Sequence, residues 1–85
     1  KPLSPIISWL DTRTAELLRE EIAPLVDPSW LQHKTGLPLS TYFSAAKIKW
    51  LLKQQDLDQA LRKGSLRFGT VDTWILRWLT AGKVY

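Results

Sequence analysis

Side chains able to do chemistry are few and scattered in this 85-residue sequence. Asp11, Glu16, Glu20 and Glu21 are its neighbouring carboxylates, and on a helix Glu16 and Glu20, four apart, share a face. Such a pair can act as acid and base, but on a surface helix it is far more often a pair of solubilising charges. His33 is the single imidazole and there is no Cys, so neither a zinc set nor a thiolate nucleophile can be assembled. The glycines, Gly36, Gly64, Gly69 and Gly82, are isolated and offer no Gly-rich loop for a phosphate. Residue types alone therefore give no catalytic residue, no metal ligand and no cofactor site.

Charge is divided unevenly along the chain, which carries 12 Lys and Arg against 8 Asp and Glu, a net +4. Residues 1–43 hold Lys1, Arg13, Arg19 and Lys34 against five carboxylates, while residues 44–85 hold eight basic side chains against Asp56, Asp58 and Asp72. A basic half invites a nucleic-acid reading through phosphate neutralisation. The basic residues are dispersed, however, and Lys47, Lys49, Lys53, Arg62 and Lys63 read more simply as solvated helix faces. The expectation is no nucleic-acid partner.

Several elements can be placed from local signals. Ile6–Leu10, an apolar run with a β-branched start after Pro5, predicts a short buried strand. A helix is expected over about 13–23, with Ala15, Leu18, Ile22 and Leu25 on one face, ended by Pro24. Asp27-Pro28 starts a second helix, with Gly36 at its left-handed C-terminal position. A third, opened by Ser40 or Thr41, runs over about 42–55, with Ala45, Ile48 and Leu52 on one side. Asp56 can cap a short fourth helix ending at Gly64. Thr70 caps the most regular amphipathic helix, with Val71, Trp74, Ile75, Trp78 and Leu79 on one face and Gly82 closing it. Val84-Tyr85 reads as the start of a further strand. The pattern is mostly helical, four to five helices with one or two short strands.

Three segments carry a family resemblance. Ile7-Ser8-Trp9-Leu10-Asp11-Thr12-Arg13-Thr14 resembles the Trp-x-Asp-x-Arg-Thr strand end and helix start of the FGGY carbohydrate kinases. The stretch from Thr35-Gly36 through Tyr42-Phe43-Ser44 to Lys47-Ile48-Lys49-Trp50-Leu51-Leu52 is similar to a second block of that family, and Phe68-Gly69-Thr70-Val71-Asp72-Thr73-Trp74 to a third. Order and spacing agree across almost the whole chain, and the motifs lie nearest those of members that phosphorylate glycerol.

The resemblance implies an internal piece, residues 1–85, of the N-terminal domain of an ATP-dependent polyol kinase, an α/β actin-like (ribonuclease H-like) fold. It implies a cytoplasmic, homo-oligomeric parent that uses Mg-ATP and makes glycerol 3-phosphate. The piece itself is expected to be inactive and to bind no nucleotide. By the resemblance, Trp9 matches a ring that lines the glycerol pocket and Tyr42 a hydroxyl that bonds glycerol; a small polyol does need an apolar wall and hydrogen-bonding groups. Read without it, Trp9 is a core residue at a strand end and Tyr42 opens a helix. Asp11 reads as a cap or as the partner of Arg13 rather than as a base.

Leu10, Thr12 and Ala45-Ala46 depart from the glycerol pattern, which keeps xylulose- and gluconate-type kinases as alternatives. From a different class, a free-standing helical module binding protein or nucleic acid is the other reading. The register of the three motifs favours the kinase piece; the start at Lys1 with no Met implies either a removed leader or an excised piece, and five Trp in 85 residues suggest a chain that packs against something. The expectation for an isolated piece is rearranged packing, unusual exposed apolar area or self-association. No apolar run approaches the ~18–20 residues of a membrane span.

Overall fold

A computed structural model describes residues 1–55 and 57–84. It falls into two compact units, one ending at Gln55 and one beginning at Asp56. The first unit holds α1 (Ala15–Leu17), a π-helical turn (Leu18–Ile22), α2 (Pro28–Thr35) and α3 (Ser44–Gln55). The second holds α4 (Asp58–Arg62) and α5 (Val71–Leu79).

No strand occurs among the described residues, which overturns the α/β expectation and the strand at Ile6–Leu10. A strand needs a neighbour for its N–H and C=O groups. Here the segment turns back on itself instead. The Asp11 amide donates to the Ser8 carbonyl at 3.1 Å, the Leu10 amide donates to Ser8 Oγ at 3.3 Å, and Trp9 and Leu10 lie in a turn. Ile6 and Leu10 are exposed rather than buried. Val84 is also outside any strand, and Tyr85 lies outside the described residues.

The helix expected over 13–23 is present in altered form. After one α turn the ladder widens, and the Ala23 amide donates to the Leu18 carbonyl at 2.8 Å, five residues back. The widening falls just before Pro24, which has no N–H and whose ring would strike the Glu20 carbonyl in a continued α-helix. The expected face breaks up: Leu17 and Leu18 are buried, whereas Ala15 and Leu25 are exposed. Asp27 caps α2 by accepting from the Ser29 amide at 3.0 Å, Pro28 fills the first position, and Gly36 closes the helix at φ 74°. These are the residues the sequence singled out. α3 begins at Ser44, two residues later than expected, because Ser40 Oγ takes the Tyr42 amide (3.2 Å) in a turn of its own. Its inward side is Ala46 and Lys47, with Ala45 exposed. The expected cap of α4, Asp56, lies outside the described residues.

The buried apolar core among the described residues is Leu17, Leu18 and Ala46. Ion pairs supplement it, since Glu21 faces Lys49 at 3.8 Å and also pairs with Lys53, tying the π turn to α3. In the second unit the Thr70 hydroxyl does not cap α5; it donates to the Asp72 carboxylate in the first turn and thereby lowers the pKa of that group. The whole apolar face of α5 is open: Val71, Trp74, Ile75, Trp78 and Leu79 are all exposed, and Trp74 and Trp78 meet edge to face at 6.4 Å. Trp9 and Trp30 are exposed as well, so the apolar area expected from the Trp count is present.

Removing the cap of α2 with Asp27→Ala should destabilise the protein by about 1 kcal/mol. Gly36→Ala should cost a similar amount, about 1 kcal/mol, because a Cβ is strained at a left-handed residue. Thermal unfolding followed by circular dichroism reads both, and an unchanged midpoint in either variant would contradict the cap geometry.

Candidate substrate-binding site

Trp9 and Tyr42 stand 33 positions apart in sequence, each in a turn that no helix or strand supports, yet their rings meet. The centroids are 5.5 Å apart at an interplanar angle of 64°, an edge-to-face pair, and Phe43 continues the row at 5.1 Å and 69° from Tyr42. Both rings remain open: Trp9 is 60% and Tyr42 53% exposed, so the pair forms a surface rather than a core. The Tyr42 hydroxyl makes no hydrogen bond among the described residues, which leaves it free to donate and accept. An open groove of about 370 Å³ elsewhere in the first unit, beside Leu18, Ala23, Leu39 and Thr41, includes neither ring.

Lys47 joins the two turns. Its Nζ donates to the Ser8 carbonyl at 2.8 Å and to the Tyr42 carbonyl at 3.2 Å. The side chain runs back from the first turn of α3 toward the helix N-terminus, the direction in which helical Cα–Cβ bonds tilt. Only 8% of Lys47 is exposed, which corrects the reading of this residue as part of a solvated face. The sequence did carry a signal. A cation in the first turn of a helix opposes the helix dipole, so a lysine there between Ala46 and Ile48 needs acceptors to offset it.

Beside the ring pair, Asp11 and Arg13 form a closed unit. Asp11 Oδ1 accepts from the Arg13 amide and Nε, each at 2.9 Å, and Oδ2 accepts from Nε at 2.9 Å and from the terminal guanidinium nitrogen at 2.6 Å. These bonds hold the Asp11 carboxyl at about 2, well below the ordinary 3.8, chiefly through the Arg13 side chain. Asp11 is thus a fixed anion and no proton acceptor near neutral pH, as the reading of Asp11 as partner of Arg13 requires. The Arg13 guanidinium carbon lies 5.3 Å from the centre of the Trp50 ring on α3, so the same residue anchors the turn to the helix.

Residues that could hold Mg-ATP do not come together. Among the described residues no group of three carboxylates or imidazoles could hold a metal ion, and the isolated glycines make no phosphate cradle. No step of a phosphoryl transfer is assigned to these residues.

Since Asp11 is more acidic in the folded protein than in an unfolded chain, its pairing stabilises the fold above about pH 3.8 and is lost as pH falls through about 2. A carboxyl-carbon NMR titration should place the Asp11 midpoint near 2, and Arg13→Gln should return it toward 3.8. An unshifted midpoint in the unsubstituted protein would contradict the pairing.

Comparisons with known proteins extend over the whole chain. The N-terminal domain of the FGGY family of carbohydrate kinases matches residues 1–85. A probable glycerol kinase of Caenorhabditis elegans is 46% identical over 99% of this chain, and glycerol kinases of Borrelia hermsii and Dichelobacter nodosus are 46% and 43% identical over 99% and 100% of it. In each case the match covers 17% of the relative, so this chain spans about a sixth of their length. No solved structure matches it. No helix among the described residues is long and apolar enough to cross a membrane. With the family's motifs in register and the match running from Lys1 to Tyr85, the chain belongs to the FGGY carbohydrate kinases, in their N-terminal domain.

Proposed function

We propose that residues 1–85 are part of the N-terminal domain of a longer ATP-dependent kinase that phosphorylates glycerol to glycerol 3-phosphate, and that this segment supplies one wall of the polyol pocket. The observation that carries the pocket assignment is the exposed Trp9–Tyr42 ring pair at 5.5 Å. The two residues that match the family's polyol contacts are neighbours in space despite their distance in sequence. The relatives' names support glycerol over other sugars.

In this reading the Trp9 ring lies along the C–H edge of the polyol and displaces water from it. The Tyr42 hydroxyl bonds one of the substrate hydroxyls. An apolar face with a few placed polar groups is what a small polyol requires, because its hydroxyls lose water on binding and must be re-paired. Nothing in the segment moves a proton or stabilises a transferred phosphoryl group, so its part is binding and orientation. The nucleotide is held by other parts of the parent.

Kinetics of the full-length kinase test this. Trp9→Ala should raise KM for glycerol at least about tenfold, the loss of roughly 1.4 kcal/mol or more of apolar contact. Tyr42→Phe should raise it by about two- to tenfold, as one hydrogen bond is worth about 0.5–1.5 kcal/mol. KM for ATP should be unchanged in both. Unaltered glycerol kinetics in both variants would refute the site, and a parent that prefers xylulose or gluconate to glycerol would move the assignment to a sister kinase.

A further inference from the structure

The ring pair depends on two turns with no regular structure of their own. Trp9 follows Ser8 directly, and Tyr42 belongs to the turn before α3. Neither turn bonds to the other through backbone groups among the described residues. What joins them is one ammonium group that takes the carbonyl preceding Trp9 and the carbonyl of Tyr42 itself.

We propose that Lys47 is a positioning residue of the polyol site, holding the Trp9 and Tyr42 turns at the separation at which both rings meet one small polyhydroxylated substrate. The inference rests on the reading of Trp9 and Tyr42 as substrate contacts. Lys47 touches no substrate; it acts on backbone. A lysine 8% exposed has given up most of its water, so its three donors bind the available carbonyls strongly, and charge-assisted bonds to neutral acceptors exceed ordinary ones. Its stem leaves α3, which is tied by Glu21 to the π turn through Lys49 and Lys53, so the anchor is fixed at its base. The remaining nearby cation, Arg13, is occupied by Asp11 and cannot replace it. With Lys47 gone, both carbonyls would turn to water, and the rings would have to be brought together by the substrate at the expense of affinity.

The test uses the full-length kinase and steady-state kinetics in glycerol. Lys47→Met keeps the stem and removes the donors. It should raise KM for glycerol about tenfold, with kcat changed less than about threefold and KM for ATP unchanged. In a Trp9→Ala/Tyr42→Phe background the same substitution should add less than about twofold, because the groups it positions are absent. A merely structural role predicts the opposite: the full effect persists in that background and ATP kinetics suffer alike. Lys47→Arg, which retains the charge and donors, should restore KM to within about threefold. Lys53→Met, on the same helix but paired with Glu21, should leave KM for glycerol unchanged.

If Lys47→Met does not fold, Lys47→Gln takes its place, with N–H donors on a shorter stem and no charge, and the same non-additivity is expected. An unchanged KM, or an additive effect, while Trp9→Ala and Tyr42→Phe do raise KM, overturns the role of Lys47 and leaves the site standing. If those two variants leave glycerol binding intact, the site itself fails and Lys47 has nothing to position.

Discussion

A single ammonium group joins the turn that carries Trp9 to the turn that carries Tyr42. Taking a lysine out of water is costly, and it persists in a folded chain only where acceptors replace the lost hydration. The Ser8 and Tyr42 carbonyls do so, at 2.8 and 3.2 Å, and they can because neither is engaged in a helix or a sheet. A carbonyl committed to a ladder would be a poorer partner for the ammonium. The Ser8 carbonyl takes the Asp11 amide within its turn and uses its second lone pair for the ammonium, and in the same turn Trp9 stays exposed.

Around that joint, polar contacts take up work that an apolar core performs in larger domains. Leu17, Leu18 and Ala46 are too few to fix the packing of α1, the π turn and α3. Glu21 with Lys49 and Lys53 on one side, and Asp11, Arg13 and Trp50 on the other, add directional ties. Exposed pairs of this kind contribute little each and are weakened by salt. Their value lies in geometry, since the Arg13 fork on Asp11 and its approach to Trp50 set where the turn bearing Trp9 leaves the helix.

What could be read from the sequence divides along a physical line. Signals that act within four or five residues were legible. Asp27 before Pro28, Gly36 at positive φ, and the apolar spacing from Val71 to Leu79 each specify a helix end or face through local backbone chemistry. Signals that depend on a distant partner were not. Ile6–Leu10 has the composition of a strand, but strand formation is decided by a neighbour, and none runs beside it among the described residues. A 3.6-residue period puts Ala45 and Leu25 inward, yet Leu25 lies past the π turn, outside any helix, and Ala45, in the first turn of α3, is exposed. Lys47 was assigned to solvent because composition cannot show which carbonyls come within reach of a helix.

The candidate site follows the same division. Trp9 and Tyr42 were found by resemblance, which supplies residue types in order but no geometry; their meeting at 5.5 Å is a contact across 33 residues that no local rule reaches. The exposure of both rings then bears on the proposed function. An open tryptophan beside a tyrosine puts an apolar face and a hydroxyl in one place, which is what the proposed polyol contact calls for. The bare face of α5, with Trp78 71% and Leu79 81% exposed, is a different case: a second exposed apolar patch, on which Trp74 and Trp78 meet edge to face with Arg77 beside them. The relatives are about six times longer than this chain. On the proposed reading, the Trp9–Tyr42 pair is the surface that meets the polyol, a role the face of α5 does not share.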